Sequence, residues 1–168
     1  MTPAPAGTAP HDRAPGDTVL SGGRGRIVAR VNTIVVGIGG GETAKAAARQ
    51  AVALASALGA SVHFVTVAES SETSVVGVGS DRWEVSNLDG ARAEVQRFLA
   101  DEGVTVDHTV AAIEGDPAKV LVAEAERLDA DLIVVGNVRM KGLGRVLGSV
   151  GNAVAHNAPC SVLIVKTV

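Results

Sequence analysis

Aromatic residues are scarce in this chain, which has two Phe, one Trp and no Tyr among its 168 residues. Proteins that hold single-stranded nucleic acid usually stack the bases on aromatic side chains, and this chain can do little of that. Its formal net charge of −3 also argues against a surface for duplex nucleic acid. We therefore expect no nucleic-acid partner, and a core built from Val, Leu, Ile and Ala.

Cysteine and long apolar runs are also lacking. The single cysteine, Cys160, excludes an internal disulfide framework and is typical of a reducing compartment. No apolar run reaches the ~18 residues that a membrane-spanning helix requires, and residues 1–16 lack the apolar block of a signal peptide. These absences predict a cytoplasmic protein with no membrane partner, in which Cys160 is a packed thiol.

The first thirty residues differ in composition from the rest. Four of the six prolines lie among the first fifteen residues, and apolar density is low there. Such a segment cannot bury enough apolar surface to fold, so residues 1–30 are predicted to be a disordered tail. Residues 31–168 are predicted to form one domain.

Strand-like and helix-like segments alternate from residue 32 onward. β-Branched and apolar runs predict strands over 33–38, 61–67, 104–113, 131–136 and 161–165. Helical spacing of apolar residues, with Gly and Pro at the boundaries, predicts helices over 42–58, 86–101, 116–129 and 150–157. The polar, glycine-containing segment 69–85 is expected to be a mobile loop.

This alternation predicts an α/β fold, a doubly wound, five-stranded and mainly parallel sheet with helices on both faces. Right-handed crossovers favour the strand order 3-2-1-4-5. Ligands of such sheets bind beyond the carboxyl ends of the strands where the winding reverses, here between strands one and four. The glycine-rich segments 39–41 and 136–149 follow those two strands and should be neighbours in space.

The segment 136–149 carries the strongest functional signal. It links a predicted strand to a predicted helix, contains Arg139, Lys141 and Arg145, and ends on Gly148 and Ser149. Backbone N–H groups and the helix dipole favour an anion at such a helix start, and the Ser149 hydroxyl could cap the helix. We interpret the segment as a holder of phosphate, most naturally on a nucleotide; the alternative is a flexible connection with solvated charges.

The chain from residue 32 onward resembles the universal stress protein family. The resemblance includes the segments Glu114-Gly115-Asp116-Pro117 and Ala158-Pro159-Cys160-Ser161-Val162-Leu163-Ile164-Val165. Nucleotide-binding members carry a motif of Gly, two residues, Gly, nine residues and Gly-Ser or Gly-Thr. Here Gly136 matches the first glycine and Gly148-Ser149 the closing pair, whereas Arg139 stands at the second glycine and eight residues separate it from Gly148.

The resemblance implies a site that could hold ATP, together with Mg, or another adenine nucleotide. Gly136 would lie near the ribose, Gly148, Ser149 and Val150 near the phosphates, and Val67 near the base. The first loop reads Gly39-Gly40-Gly41 where nucleotide-binding relatives usually read Asp-Gly-Ser, so a polar contact to adenine is absent. The whole predicted nucleotide site is Ile38, Gly39, Gly40, Val67, Gly136, Asn137, Arg139, Gly142, Gly148, Ser149 and Val150.

Enzymatic signatures are missing from the sequence. Neither a phosphate-loop ATPase motif nor a dinucleotide fingerprint fits, the latter because its third glycine position holds Glu42. His63 and His108 fall within predicted strands and are expected to be packed residues, and no Cys/His cluster has metal-ligand spacing. We expect no catalytic residue and no protein metal site.

Two functional hypotheses remain open. The first is a nucleotide-binding regulator of the stress response; the second is an adaptor of the same fold that binds no nucleotide and acts through protein partners. The missing Asp at position 39 and the presence of Arg139 favour the adaptor, whereas Gly136 and Gly148-Ser149 favour the regulator. The last predicted strand, 161–165, is an apolar sheet edge that invites pairing with a second copy, so we expect a homodimer.

Overall fold

The computed structural model describes residues 30–68, 73–78, 81–137 and 148–166, and its elements follow one another as in a doubly wound α/β protein. The strands are β1 (Thr33–Gly37), β2 (Ser61–Ala68), β3 (Thr73–Val78), β4 (Asp81–Ser86), β5 (His108–Glu114), β6 (Leu132–Asn137) and β7 (Ser161–Lys166). The helices are α1 (Glu42–Leu58), α2 (Asn87–Asp101), α3 (Pro117–Arg127) and α4 (Ser149–Asn157). Apart from Arg30, the predicted tail lies outside the described residues.

The main sheet has five parallel strands in the order β5-β2-β1-β6-β7. Counted along the chain without the hairpin strands β3 and β4, this is the predicted order 3-2-1-4-5, which is confirmed. The central strand β1 pairs on both sides, with Val36 opposite Phe64 of β2 and opposite Val134 of β6. The predicted reversal of winding between β1 and β6 is therefore present.

The two faces of the sheet carry separate cores. Ile34 and Val36 of β1 pack under α1 and α2, whereas Val35 packs under α3 and α4, as the period of two in a strand requires. Helix α1 contacts the sheet through small residues at helical spacing, which are Ala47, Ala48, Ala51 and Ala55. Because these side chains are short, the backbone of α1 lies close to the strands.

The segment predicted as a loop over 69–85 contains a hairpin instead, so that prediction was wrong. Strands β3 and β4 pair in antiparallel register, with Val76 opposite Trp83, and form a small sheet of their own. Valine-rich residues on one side of Gly79-Ser80 and Trp83 on the other are a hairpin signal that the glycine content concealed. Residues 69–72, 79 and 80 lie outside the described part of the chain.

The third predicted strand begins four residues later than expected, at His108. Residues 103 and 104 form the turn that caps the end of α2, because the Val104 N–H donates to the Leu99 carbonyl and Gly103 has φ +63°. A left-handed glycine of this kind closes a helix and delays the strand.

Both strand histidines are packed, as predicted. His108 contacts Phe64 edge to face at 5.8 Å and its Nδ1 bonds with the Val106 carbonyl. His63, only 8% exposed, hydrogen-bonds through Nδ1 with the Thr109 hydroxyl, and its Nε2 lies 2.9 Å from Oε2 of Glu124 on α3. Arg127 donates to both oxygens of the same carboxylate, at 2.9 and 2.6 Å. The network ties α3 to β2 and β5.

Glu124 should stabilise the fold in a pH-dependent way. The hydrogen bond from Arg127 holds the pKa of Glu124 below its usual value near 4.5, with help from His63 and against the effect of burial. A lowered folded-state pKa contributes stability above the unfolded-state pKa, and this contribution is lost as the pH falls through the folded-state value. Glu124→Gln should lower the free energy of unfolding by about 1–3 kcal/mol at pH 7.

The measurement is urea denaturation of wild type and Glu124→Gln between pH 7 and pH 3. Glu126→Gln, on the same helix but exposed, is the matched control and should change stability little. The difference between wild type and Glu124→Gln should shrink below about pH 4.5. A difference that stays constant down to pH 3 would contradict the assignment of the stabilisation to the ionised carboxylate.

Candidate functional site

The candidate site lies beyond the carboxyl ends of β1 and β6. After β1 the chain leads to α1 on one face of the sheet, and after β6 it leads to α4 on the other. Neighbouring parallel strands whose connections diverge in this way leave a crevice between the two connections. The predicted residues Ile38, Gly39 and Gly40 lie on one side of this point and Gly136 and Asn137 on the other.

A close approach between β6 and α1 shapes the crevice. A Cβ atom at Gly136 would lie 2.5 Å from the backbone oxygen of Thr43 and 2.8 Å from its Cγ2, distances that no side chain can accommodate without movement. Glycine is therefore required at 136 by the backbone of α1, independently of any ligand. The same contact places the first turn of α1 directly against the end of β6.

The N-cap of helix α4 is Gly148, not Ser149. Gly148 is the N-cap and makes no side-chain cap, while Ser149 is the first helical residue and is exposed, so the prediction that the Ser149 hydroxyl caps the helix was wrong. The Gly148 N–H donates to the Asn137 Oδ1 at 3.3 Å, which links the end of β6 to the start of α4. Because a capping hydroxyl belongs on the residue before the helix, Ser149 instead presents its side chain one position too late.

Two helix starts at the crevice have no side-chain cap, and a third helix start provides a contrast. Gly41 and Gly148, the N-caps of α1 and α4, carry no side chain that could accept a hydrogen bond. Helix α3 starts beyond β5, away from the crevice, and there Asp116 accepts from the Lys119 N–H at 3.0 Å. The starts of α1 and α4 therefore leave positive dipole ends without an acceptor from the N-cap side chain.

A cavity of about 170 Å³ opens beside the first loop, on the α1–α2 face. Its lining comprises Ile38, Gly39, Gly40, Lys45, Thr66, Ala91, Glu94, Val95, Arg97, Phe98 and Asp101. Three of the predicted site residues thus share a cavity. The α2 wall was not predicted, although the residues at 91, 94, 95, 98 and 101 follow the spacing of one helix face.

Charged residues at the rim of the cavity are partly engaged with one another. Lys45 Nζ lies 3.5 Å from Glu42 and 5.8 Å from the centre of the Phe98 ring. The guanidinium of Arg49 lies 5.5 Å from the centre of the same ring. It also donates to both oxygens of Glu102, at 3.1 and 2.8 Å. This bidentate pair raises the pKa of Arg49 and lowers that of Glu102. The Phe98 ring is thus covered by cations on its outer side.

The remaining predicted site residues are distributed as follows. Val67 packs with the α3–α4 core and lies two residues beyond Val65, the last β2 residue that pairs with β1. Val150 is half-buried against the same core. Arg139 and Gly142 lie outside the described residues, as do the other cations of the segment 138–147.

Three further features concern the described part of the chain: metal-ligating side chains, the cysteine, and helices that could span a membrane. No group of three or more His, Cys, Asp or Glu side chains within residues 30–68, 81–137 and 148–166 is arranged to hold a metal ion. Burial, with a smaller effect of Asp131, raises the pKa of the Cys160 thiol, which packs with the α3–α4 core. None of the helices among the described residues is both long and apolar enough to cross a bilayer.

Comparison with known proteins decides the family. The model of the universal stress protein family matches residues 30–166, which is most of the chain. This chain belongs to that family. A universal stress protein of Methanocaldococcus jannaschii is 37% identical over 141 residues, which cover 79% of this chain and 81% of the relative. Another, from Synechocystis, is 29% identical over 150 residues, covering 79% and 96%.

Solved universal stress proteins share the fold. One, a universal stress protein in complex with cAMP, is 29% identical, has a TM-score of 0.63, and is matched over 83% of this chain and 99% of its own. The universal stress protein UspA from Lactobacillus plantarum is 22% identical with a TM-score of 0.62, over 82% and 99% of the two chains. The doubly wound sheet of this universal stress protein is therefore the family's fold.

The close approach at Gly136 leads to a stability prediction. Gly136→Ala should lower the free energy of unfolding by about 1–3 kcal/mol, because its methyl group overlaps the backbone of α1 at Thr43. Gly39→Ala is the matched control, since nothing lies within 4 Å of a Cβ atom there. The control should be neutral or slightly stabilising, by up to about 1 kcal/mol. Urea denaturation of both variants is the measurement, and equal stabilities would contradict the described contact.

Proposed function

We propose that this universal stress protein binds an adenine nucleotide at the crevice between β1 and β6 and acts as a regulator of the stress response. The observation that carries the proposal is the pair of glycine-capped helix starts, at Gly41 and Gly148, on either side of Gly136. Backbone N–H groups at such helix starts are suited to phosphate oxygens. The cAMP complex of the relative that is 29% identical supports an adenine nucleotide as the ligand class.

Each predicted residue has a distinct part in the proposed site. Ser149 and Val150 offer backbone N–H groups to the phosphates, beside Gly148, and the exposed Ser149 hydroxyl can donate to a phosphate oxygen. Gly136 and Asn137 lie at the end of β6 and would contact the ribose. In this arrangement Asn137 keeps the start of α4 in place through the Gly148 N–H.

The base would lie at the cavity beside Ile38, Gly39 and Gly40. Val67 would contribute through its backbone, because its side chain packs against the α3–α4 core. Arg139 and Gly142 would complete the phosphate segment, as the family motif implies. With ATP, Mg would bind through the phosphate oxygens, which is the usual mode of Mg at nucleotide sites.

We propose no catalytic activity. General acid–base catalysis needs a titratable side chain positioned by a second polar group near the reacting atoms. His63 lies on the α3–α4 side of β2 and is engaged with Thr109 and Glu124. Its partners therefore explain it as a structural residue. A cytoplasmic location fits the same regulatory role.

The assembly we propose is a homodimer through β7. This strand forms one edge of the main sheet, next to β6, and its residues 162–165 are only half-buried. An edge strand with apolar residues and no proline favours pairing with a second copy. The adaptor function without nucleotide remains the second candidate, because Gly39 and Gly40 offer no polar side chain to a base.

Calorimetric titration tests the nucleotide site directly. Mg-ATP, AMP and cAMP are titrated separately into the purified protein, and we expect saturable binding of at least one of them. The reason is that the glycine N-caps of α1 and α4 leave the helix starts without a side-chain acceptor, which favours the phosphate of all three. Flat traces with all three ligands up to millimolar concentration would contradict nucleotide binding and support the adaptor function.

Ser149→Ala should weaken nucleotide affinity by roughly tenfold, the size of one hydrogen bond to a charged group. Ser56→Ala is the matched control, because Ser56 is exposed near the carboxyl end of α1 and remote from the crevice. Titration with the nucleotide that binds wild type is the measurement. An unchanged affinity of Ser149→Ala would remove the hydroxyl from the site.

A further inference from the structure

The cavity beside the first loop has a carboxylate without a partner in the fold. Glu94 lies on α2, and its Oε1 is 3.5 Å from the point that a Cβ atom of Gly40 would occupy. No hydrogen bond or ion pair joins Glu94 to another described residue. Asp101, which also lines the cavity, likewise has no such partner, whereas Glu42 contacts Lys45 and Glu102 is bound by Arg49. Of the two unengaged carboxylates, Glu94, an exposed residue, is the one that lies next to Gly40. Glu94 therefore presents an unengaged acceptor at the wall of the cavity.

The size of the cavity limits what it can hold. At about 170 Å³ it is smaller than the ~300–1,000 Å³ of sites that enclose a whole drug-sized ligand. It can therefore take one part of a nucleotide, while the rest extends toward the helix starts at Gly41 and Gly148. This step rests on the proposed function.

The chemistry of the walls selects the base as that part. Ile38, Val95, Phe98 and Ala91 provide apolar surface, which suits a flat ring system better than a hydroxyl-rich sugar. The first loop, Gly39 and Gly40, has no side chain, so polar recognition at this point must come from another element. Glu94 on α2 is the residue that reaches the loop.

We infer that Glu94 is a specificity-determining residue that accepts a hydrogen bond from the exocyclic amino group of an adenine base held in this cavity. An ionised carboxylate is only an acceptor, so it pairs with an N–H donor of the base and offers nothing to a base edge without one. Because the acceptor is charged, the pair should be stronger than one between neutral groups. In this protein, the discrimination between a base with an amino group and a base without one thus comes from α2, not from the loop after β1.

The experiment is a double-mutant cycle in which one change is in the protein and the other is in the ligand. AMP and purine riboside 5′-monophosphate, which lacks only the amino group, are titrated into wild type and Glu94→Ala. Wild type should prefer AMP by about tenfold or more, the size of a hydrogen bond to a charged group. Glu94→Ala should reduce this preference to less than twofold.

Control variants separate the hydrogen bond from the charge. Glu114→Ala removes the same charge from an exposed position at the carboxyl end of β5, which is not part of the cavity, and should keep the preference. Glu94→Gln retains the size of the side chain but lacks the charge, and should lower the preference. A third ligand, 2′-deoxy-AMP, tests whether Glu94 contacts the ribose.

The outcomes distinguish the two proposals. Equal binding of AMP and its deamino analogue by wild type, or a preference that survives in Glu94→Ala, overturns the role of Glu94 and leaves the nucleotide site standing. The role of Glu94 is also overturned if Glu94→Ala changes the preference for AMP over 2′-deoxy-AMP and leaves the preference over the deamino analogue unchanged. Failure of wild type to bind either ligand overturns the role of Glu94, and failure to bind Mg-ATP and cAMP as well overturns the nucleotide site. A preference for AMP that is lost in Glu94→Ala and kept in Glu114→Ala supports the role of Glu94.

Discussion

The contact between Gly136 and the first turn of α1 determines the geometry of the ligand edge. Because a Cβ atom at 136 would lie 2.5 Å from the Thr43 oxygen, the end of β6 and the start of α1 approach too closely for a side chain at 136. The alanines at 47, 48, 51 and 55 continue this close packing along the helix. The backbone of α1 therefore lies directly against the end of β6 at the crevice, with no side chain of residue 136 between them.

The helices of this fold differ in their N-caps. Helix α3, which starts away from the crevice, is capped by Asp116, whereas α1 and α4 start with glycine. The half-buried carboxylate Glu124 is satisfied by His63 and Arg127 on the α3–α4 face. At the crevice, the N-caps of α1 and α4 carry no carboxylate. Glu42 lies in the first turn of α1, whereas the first turn of α4 has no acidic residue, so the dipole of α4 is the one more available to a ligand anion. Glu94 then stands on the side of the cavity where a base, and not a phosphate, is proposed.

Much of this fold could be predicted from local sequence. The bounds of α1, 42–58, were predicted correctly because glycines flank the helix at 41 and 59, the latter with φ +70°. The strand order followed from the alternation of strands and helices, since right-handed crossovers allow few alternatives. The hairpin in 69–85 was missed because glycine suggested a loop, and the cap of α4 was placed one residue late because serine is the commoner cap.

The sequence by itself determined the family, the strand order, the glycines of the crevice and the absence of an aromatic binding platform. These are properties of local periodicity and of residues close together along the chain. The tertiary structure alone decided that Gly136 meets Thr43, that His63 meets Glu124, and that Glu94 of α2 reaches the loop after β1. Each of these contacts joins residues more than fifty positions apart. The distance between the residues of each pair depends on how the helices pack against the sheet. That packing is set by the volumes of the side chains between them, which local sequence patterns do not reveal.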